Sequence, residues 1–141
     1  MKKHLRSLFD LWNTMKKQLC DRENNHCHIK PREIWFVKMG LNIGNEQNGK
    51  TEFNRPVLVI KKVGNMFFTI AMTSKGKKKN MFYHHFNNVH YIQKHVFYID
   101  KSFGILSQAR SLDQKRFEEK IGIVDKDEFN FVKQKLRTLL L

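Results

Sequence analysis

A small antiparallel β-barrel with helices packed outside it, mainly β within the α+β class, is the fold that this sequence predicts. Three observations lead there: short runs rich in aromatic and β-branched residues, turns bearing glycine and asparagine between them, and an amphipathic stripe near each end of the chain. Regular βαβ alternation is missing, which argues against a doubly wound parallel sheet. A chain of 141 residues holds one such domain and the core to stabilise it.

Leu5, Leu8, Phe9, Trp12, Met15 and Leu19 recur at spacings of three and four, which predicts an amphipathic helix over residues 4–19. The polar stretch DRENNHCHIKPRE breaks that period, so residues 1–30 read as a helix and linker ahead of a barrel domain at 31–141. EIWFVKM, 33–39, is the first strand. The loop GLNIGNEQNGKTEFN follows, and a loop of that length beside strands is more often functional than idle. RPVLVIKKV is the second strand and MFFTIAMT the third, joined by a hairpin turn at Gly64-Asn65. Beyond the basic turn SKGKKKN, MFYHHF makes a fourth strand and NNVHYIQKHVFYIDKSF another with irregular ends. ILSQARSL predicts a further strand that runs into a short helical piece, DQKRFEEKIG, ending at Gly122. The closing helix is marked by Asp125 as its cap with Glu128 three residues on, and by the stripe Phe129, Val132, Leu136 and Leu139.

Composition narrows the function. No apolar run approaches the roughly 18 residues of a membrane span. The basic amino terminus is interrupted by charges and lacks a small-residue cleavage site, so it does not read as a signal peptide. Two cysteines, Cys20 and Cys27, exclude a disulfide-dense secreted scaffold and point to a reducing, cytoplasmic setting. The 27 Lys plus Arg against 13 Asp plus Glu give a net charge of +14. No acidic residue falls between Phe53 and Ile99, whereas Arg55, Lys61, Lys62, Lys75, Lys77, Lys78, Lys79 and Lys94 do. A field of one sign suits a polyanion such as nucleic acid, through phosphate contacts and counterion release. The plainer alternative is that excess lysine aids solubility.

Taken in order, EIWFVKMG, GNEQNGK, RPVLVI, AMTS, LSQARSLD, KIG and the closing helix resemble the MazF/PemK family of toxin endoribonucleases over about residues 31–141. The resemblance implies an SH3-like β-barrel that dimerises, a fold shared with the CcdB gyrase poisons. It also implies cleavage of single-stranded RNA, mRNA included, with no metal or other cofactor, leaving a cyclic phosphate and a free 5′ hydroxyl. A small antitoxin protein is the implied partner.

Cleavage through the 2′-hydroxyl needs a group to take a proton, one to supply a proton, and a cation or donors for the phosphorane. Arg55 suits the last task, because a guanidinium grips two phosphate oxygens in one plane and is a poor base. The alternative is an exposed arginine paired with Glu46 or Glu52. Thr73 matches the family's catalytic threonine; a threonine bonding its local turn is the commoner fate. Glu46, in NEQNG, is the candidate base or orienting group. Asn45 stands where some relatives place a histidine, and Ser107 where some place a carboxylate before Gln108. Ser74, Lys75, Lys77, Lys78 and Lys79 follow Thr73 and read as substrate-binding, as a backbone-tracking funnel or else a solvated hairpin tip. Gln108 and Arg110 are suited to holding nucleotides or bracing a dimer. Phe82, Tyr83 and Phe86 read as core more readily than as stacking platforms.

Cys20, His26, Cys27 and His28 match no standard zinc spacing, so no metal site is expected. His84, His85, His90 and His95 are expected as partly exposed strand side chains. The amino-terminal helix is extra relative to compact relatives and is expected to pack on the barrel or at a dimer edge through Phe9 and Trp12. Two rival functions share the fold: a catalytically silent basic RNA-binding module, and a protein-targeting toxin like the gyrase poisons. The Arg55/Thr73 pairing favours RNA over the latter.

Overall fold

The computed structural model describes residues 3–23, 28–44, 46–49, 53–92 and 102–141. Helix α1 (Lys3–Asp21) precedes strands β1 (Glu33–Lys38), β2 (Asn54–Val63), β3 (Met66–Thr73), β4 (Tyr83–His85) and β5 (Val89–Tyr91). Strands β6 (Phe103–Ile105), β7 (Arg110–Asp113) and β8 (Phe117–Val124) follow, and helix α2 (Lys126–Leu140) closes the chain. The strand order is β4-β6-β3-β2-β1-β8-β5, with β7 also on β3. That order does not return on itself, so among the described residues the expected barrel is an antiparallel sheet left unclosed. The sheet is nevertheless curled. Strands β3 and β8 are three steps apart, about 14 Å in a flat sheet, yet the Phe67 and Phe117 rings lie 5.4 Å apart.

The apolar run Val57-Leu58-Val59-Ile60 is buried on both faces, which is why it does not alternate with polar residues. Leu58 and Ile60 join Ile34, Ile70 and Ile121 beneath α2, which contributes Phe129, Val132 and Leu136. Val57 and Val59 join Trp35, Val37, Phe67, Leu112 and Phe117 inside the curl. Leu58 is wholly buried, so Leu58→Ala lowers the unfolding free energy by about 2–5 kcal/mol, read as a lower urea midpoint at unchanged slope.

Three expectations need correction. ILSQARSL is two strands, β6 and β7, separated by a 3-10 turn at Leu106–Gln108. DQKRFEEKIG forms a 3-10 turn at Gln114–Arg116 and then strand β8 rather than a helix. Phe117, Ile121 and Val124 fall at spacings of four and three, the period of a helical stripe. Register shifts of β8 against β1, between Ile34 and Trp35 and between Phe36 and Val37, produce it. Each bulge inserts a residue and moves a strand off its period of two. The third correction is His84, which is buried at 6% exposure rather than partly exposed.

Other elements lie where expected, with Glu128 the exception. The Gly64-Asn65 turn joins Val63 to Met66 with Gly64 at φ +61°. Asp125 caps α2 by accepting from the Asp127 N–H at 3.1 Å. Glu128 reaches outward instead of back, accepting from the Asn87 and Asn88 N–H groups at 3.0 and 3.2 Å. The ambiguous segment after MFYHHF supplies β5; its residues 93–101, His95 among them, lie outside the described residues. Helix α1 packs on the sheet domain through Trp12 and Leu19, with Phe9 half-buried. Arg22, just past its end, pairs with Glu118 at 2.8 Å.

Candidate functional site

Strands β2 and β3 form a hairpin with Val57 opposite Ala71. Arg55 at the start of β2 and Thr73 at the end of β3 therefore share one end of the sheet. Lys61 and Lys62 sit near the hairpin tip, about 20 Å along the strand from Arg55. The acid-free stretch is thus divided between two ends of the fold, and Lys94 lies outside the described residues. At the Arg55 end it supplies Lys75, Lys77, Lys78 and Lys79, all exposed.

Arg55 is 4% exposed. It is not the exposed, carboxylate-paired arginine of the alternative reading: among the described residues its partners are neutral oxygens, while Glu52 lies outside them. Nη1 donates to the Met72 carbonyl at 3.1 Å and Nε to the Asn48 carbonyl. The Gln47 amide, with its oxygen turned inward, accepts from Nη2 at 2.7 Å. Burial lowers the pKa of Arg55, but a guanidinium stays charged, and among the described residues this fork keeps donors to spare.

The loop above Arg55 is drawn in at its neck. The Met39 and Gly40 N–H groups both donate to the Phe53 carbonyl, at 2.8 and 3.1 Å, and Gly49 N–H donates to the Gly40 carbonyl at 2.7 Å. Phe53 adopts φ +64°, a region that a bulky residue enters only when its surroundings hold it there. A Cβ on Gly49 would collide with the Phe53 carbonyl, so the close approach requires glycine. Inside the loop, Asn42 N–H donates to Asn48 Oδ1 at 2.5 Å and Asn42 Nδ2 to the Gln47 carbonyl at 2.7 Å. Glu46 is exposed, with Oε2 accepting from Ile43 N–H at 3.2 Å.

Beside the loop lies a cleft of about 500 Å³, lined by Met39, Glu46, Gln47, Ala71, Gln108 and Arg110 among others. It occupies the fork where β3 passes from β7 to β6, bridged by the turn carrying Gln108. Gln108 Oε1 accepts from Gln47 N–H at 2.6 Å, tying loop to turn. Ser107 also lines this cleft.

Other predicted residues are placed differently. Thr73 Oγ1 accepts from Lys75 N–H at 3.1 Å, bracing the local turn, and Ser74 is exposed. Lys78 and Lys79 line a separate cleft of about 610 Å³ with Tyr83, Phe131 and Lys135. Phe86 is core at 1% exposure, whereas Phe82 is 43% exposed. Cys20 is exposed; His26 and Cys27 lie outside the described residues, as does Asn45.

Two residues passed over in the sequence belong to this end of the fold. Gln47, which touches the guanidinium, lies within the NEQNG stretch that drew attention to Glu46. Arg116, near Arg110, donates to the Lys38 carbonyl at 3.1 Å. Burial first, then the Arg110 charge, lowers its pKa, with Asp113 opposing. Its role was hidden by the helical reading of DQKRFEEKIG.

The fold is that of solved MazF structures. MazF from Deinococcus radiodurans superposes with a TM-score of 0.59 at 22% identity, covering 79% of this chain and 96% of that one. The MazE-MazF structure from the same organism gives 0.52 at 18% identity, covering 79% and 94%. A sequence search of curated proteins gives no match. The family profile described as PemK-like, MazF-like toxin of type II toxin-antitoxin system matches residues 30–140. On that match, which spans most of the chain and includes every residue of the cleft, the protein belongs to the PemK-like, MazF-like toxin family of type II toxin-antitoxin systems.

Proposed function

We propose that this toxin is a metal-independent endoribonuclease that cleaves single-stranded RNA, mRNA included, and that it works as a homodimer silenced by a small antitoxin. The reading rests on Arg55: a cation withdrawn from water, held by neutral oxygens alone among the described residues, at the sheet end where Thr73 and the Glu46–Gln108–Arg110 cleft lie. Low local dielectric magnifies the attraction of such a charge for a phosphorane.

In the proposed step the 2′-oxygen bonds phosphorus as the P–O5′ bond breaks. The 2′ proton passes to Glu46, and O5′ takes a proton from solvent, giving a 2′,3′-cyclic phosphate and a 5′ hydroxyl. Arg55 holds the equatorial phosphate oxygens. Thr73 Oγ1 accepts from the Lys75 N–H, which leaves its own proton free to donate to phosphate. Gln108 and Arg110 grip nucleotides in the cleft, and Ser74, Lys75, Lys77, Lys78 and Lys79 follow the backbone. The solved MazE-MazF complex supports an antitoxin partner of the same kind.

The test incubates clean wild-type protein with mixed-sequence RNA in EDTA and maps the ends. Cyclic phosphate and 5′ hydroxyl termini are expected, with Thr73→Ala slower by about 10–100-fold, the worth of one hydrogen bond to a charged group. Absence of cleavage by wild type would replace this reading with a silent RNA-binding module.

A further inference from the structure

We infer that α1 is a positioning element for the loop over Arg55, acting through Trp12. This rests on the endoribonuclease reading of the same site. The family match begins at residue 30, so α1 (Lys3–Asp21) lies outside it. Nine residues before its end the helix places its largest side chain, Trp12, at 4% exposure.

That side chain lies on the neck of the loop. A Cβ on Gly40 would overlap the Trp12 indole, so the ring occupies the space that a side chain at position 40 would need. Gly40 also adopts φ +76°, which favours glycine independently. The Phe53 ring lies 5.3 Å from Trp12 at a tilt of 46°. Arg116 covers the indole, its guanidinium carbon 5.9 Å from the ring centroid, while its Nη1 holds the Lys38 carbonyl at the end of β1.

Trp12 therefore contacts both sides of the neck, Gly40 and Phe53. From there the connection to the site is short. Gly40 accepts from Gly49 N–H, and the next residue back, Asn48, gives its carbonyl to Arg55 and its side chain to Asn42. Gln47 completes the set against the guanidinium and against Gln108. Loss of the indole removes the packing that keeps Phe53 at positive φ and the neck closed. The loop oxygens then no longer fix the guanidinium, and a misplaced cation stabilises a phosphorane poorly.

The test uses full-length Trp12→Ala, Trp12→Phe and Leu19→Ala, at a temperature where near-ultraviolet circular dichroism shows each fully folded. Leu19 is the other buried residue of α1 and reports a merely structural role of the helix. Two quantities are read: hydrogen-exchange protection of the Gly49 amide, and kcat and KM for RNA cleavage. Trp12→Ala is expected to lower Gly49 protection and kcat each by about tenfold with KM within about twofold. Trp12→Phe restores most of both, and Leu19→Ala leaves both within about twofold. Unchanged Gly49 protection in Trp12→Ala overturns the inference, as does an unchanged kcat where wild type cleaves, or an equal effect from Leu19→Ala. If wild type does not cleave RNA, the endoribonuclease reading falls, and the Gly49 amide alone decides whether Trp12 positions the loop.

Discussion

Arg55→Ala is expected to slow RNA cleavage by about 10²–10³-fold, the usual cost of removing a preorganised donor from a developing oxyanion. The loss should appear in kcat, because the proposed step sets Arg55 against the phosphorane rather than the ground-state strand. Arg55→Lys separates charge from geometry. An ammonium keeps the cation but cannot span the Met72 and Asn48 carbonyls and a phosphate in one plane. It should recover no more than about a tenth of the lost rate. Hydrogen exchange across β2 and β3 checks that both variants remain folded. Cleavage by Arg55→Ala at the wild-type rate would remove this residue from the chemistry.

Acid should weaken the fold through His84. Its Nδ1 lies 2.9 Å from Lys135 Nζ, its ring meets Phe86 and Phe131 edge-on, and its Nε2 stands 3.9 Å from Glu128. Burial, then the charges of Lys135 and His85, lower its pKa to about 4 from an ordinary 6.5; among the described residues, Glu128 is the carboxylate that faces the ring. Between those values the unfolded chain binds a proton that the folded chain refuses. Stability is therefore fully present above about pH 6.5 and declines as pH falls toward 4, by about 3 kcal/mol from this group. His84→Phe fills the ring space without a titrating nitrogen, so the gap between variant and wild type in urea unfolding should change by that amount from pH 7 to pH 4. Parallel pH profiles for the two proteins would refute the assignment.

The histidine also shows what the sequence could not convey. YHH in a strand fixes that neighbouring side chains alternate between faces, but only α2 packing over β4 decides which histidine is enclosed. Residues whose place follows from local pattern were legible: the helical stripe of α1, the Gly64-Asn65 turn, the unbroken VLVI run, and the Asp125 cap. The bulged strand β8 was not, because its two register shifts depend on β1 and leave a spacing that a helix would also produce. At the candidate site, the sequence order brought Arg55, Thr73 and Glu46 into one proposal. It could not show that Lys78 and Lys79 lie toward α2, away from Gln108 and Arg110, since that separation arises from the fork in β3. Nor could it show that Glu128 serves the Asn87–Asn88 turn instead of its own helix.

Trp12 and Gly40 occupy one volume between them, and this makes the size of each residue depend on the other. A relative lacking α1 has no indole to exclude a side chain at position 40, and only the positive φ would then restrain that residue. Where the helix is present, enlarging position 40 evicts the tryptophan. A larger side chain at position 40 therefore fits only where position 12 is smaller and the strain of φ +76° is borne, so the two positions are coupled although they lie 28 positions apart in the sequence.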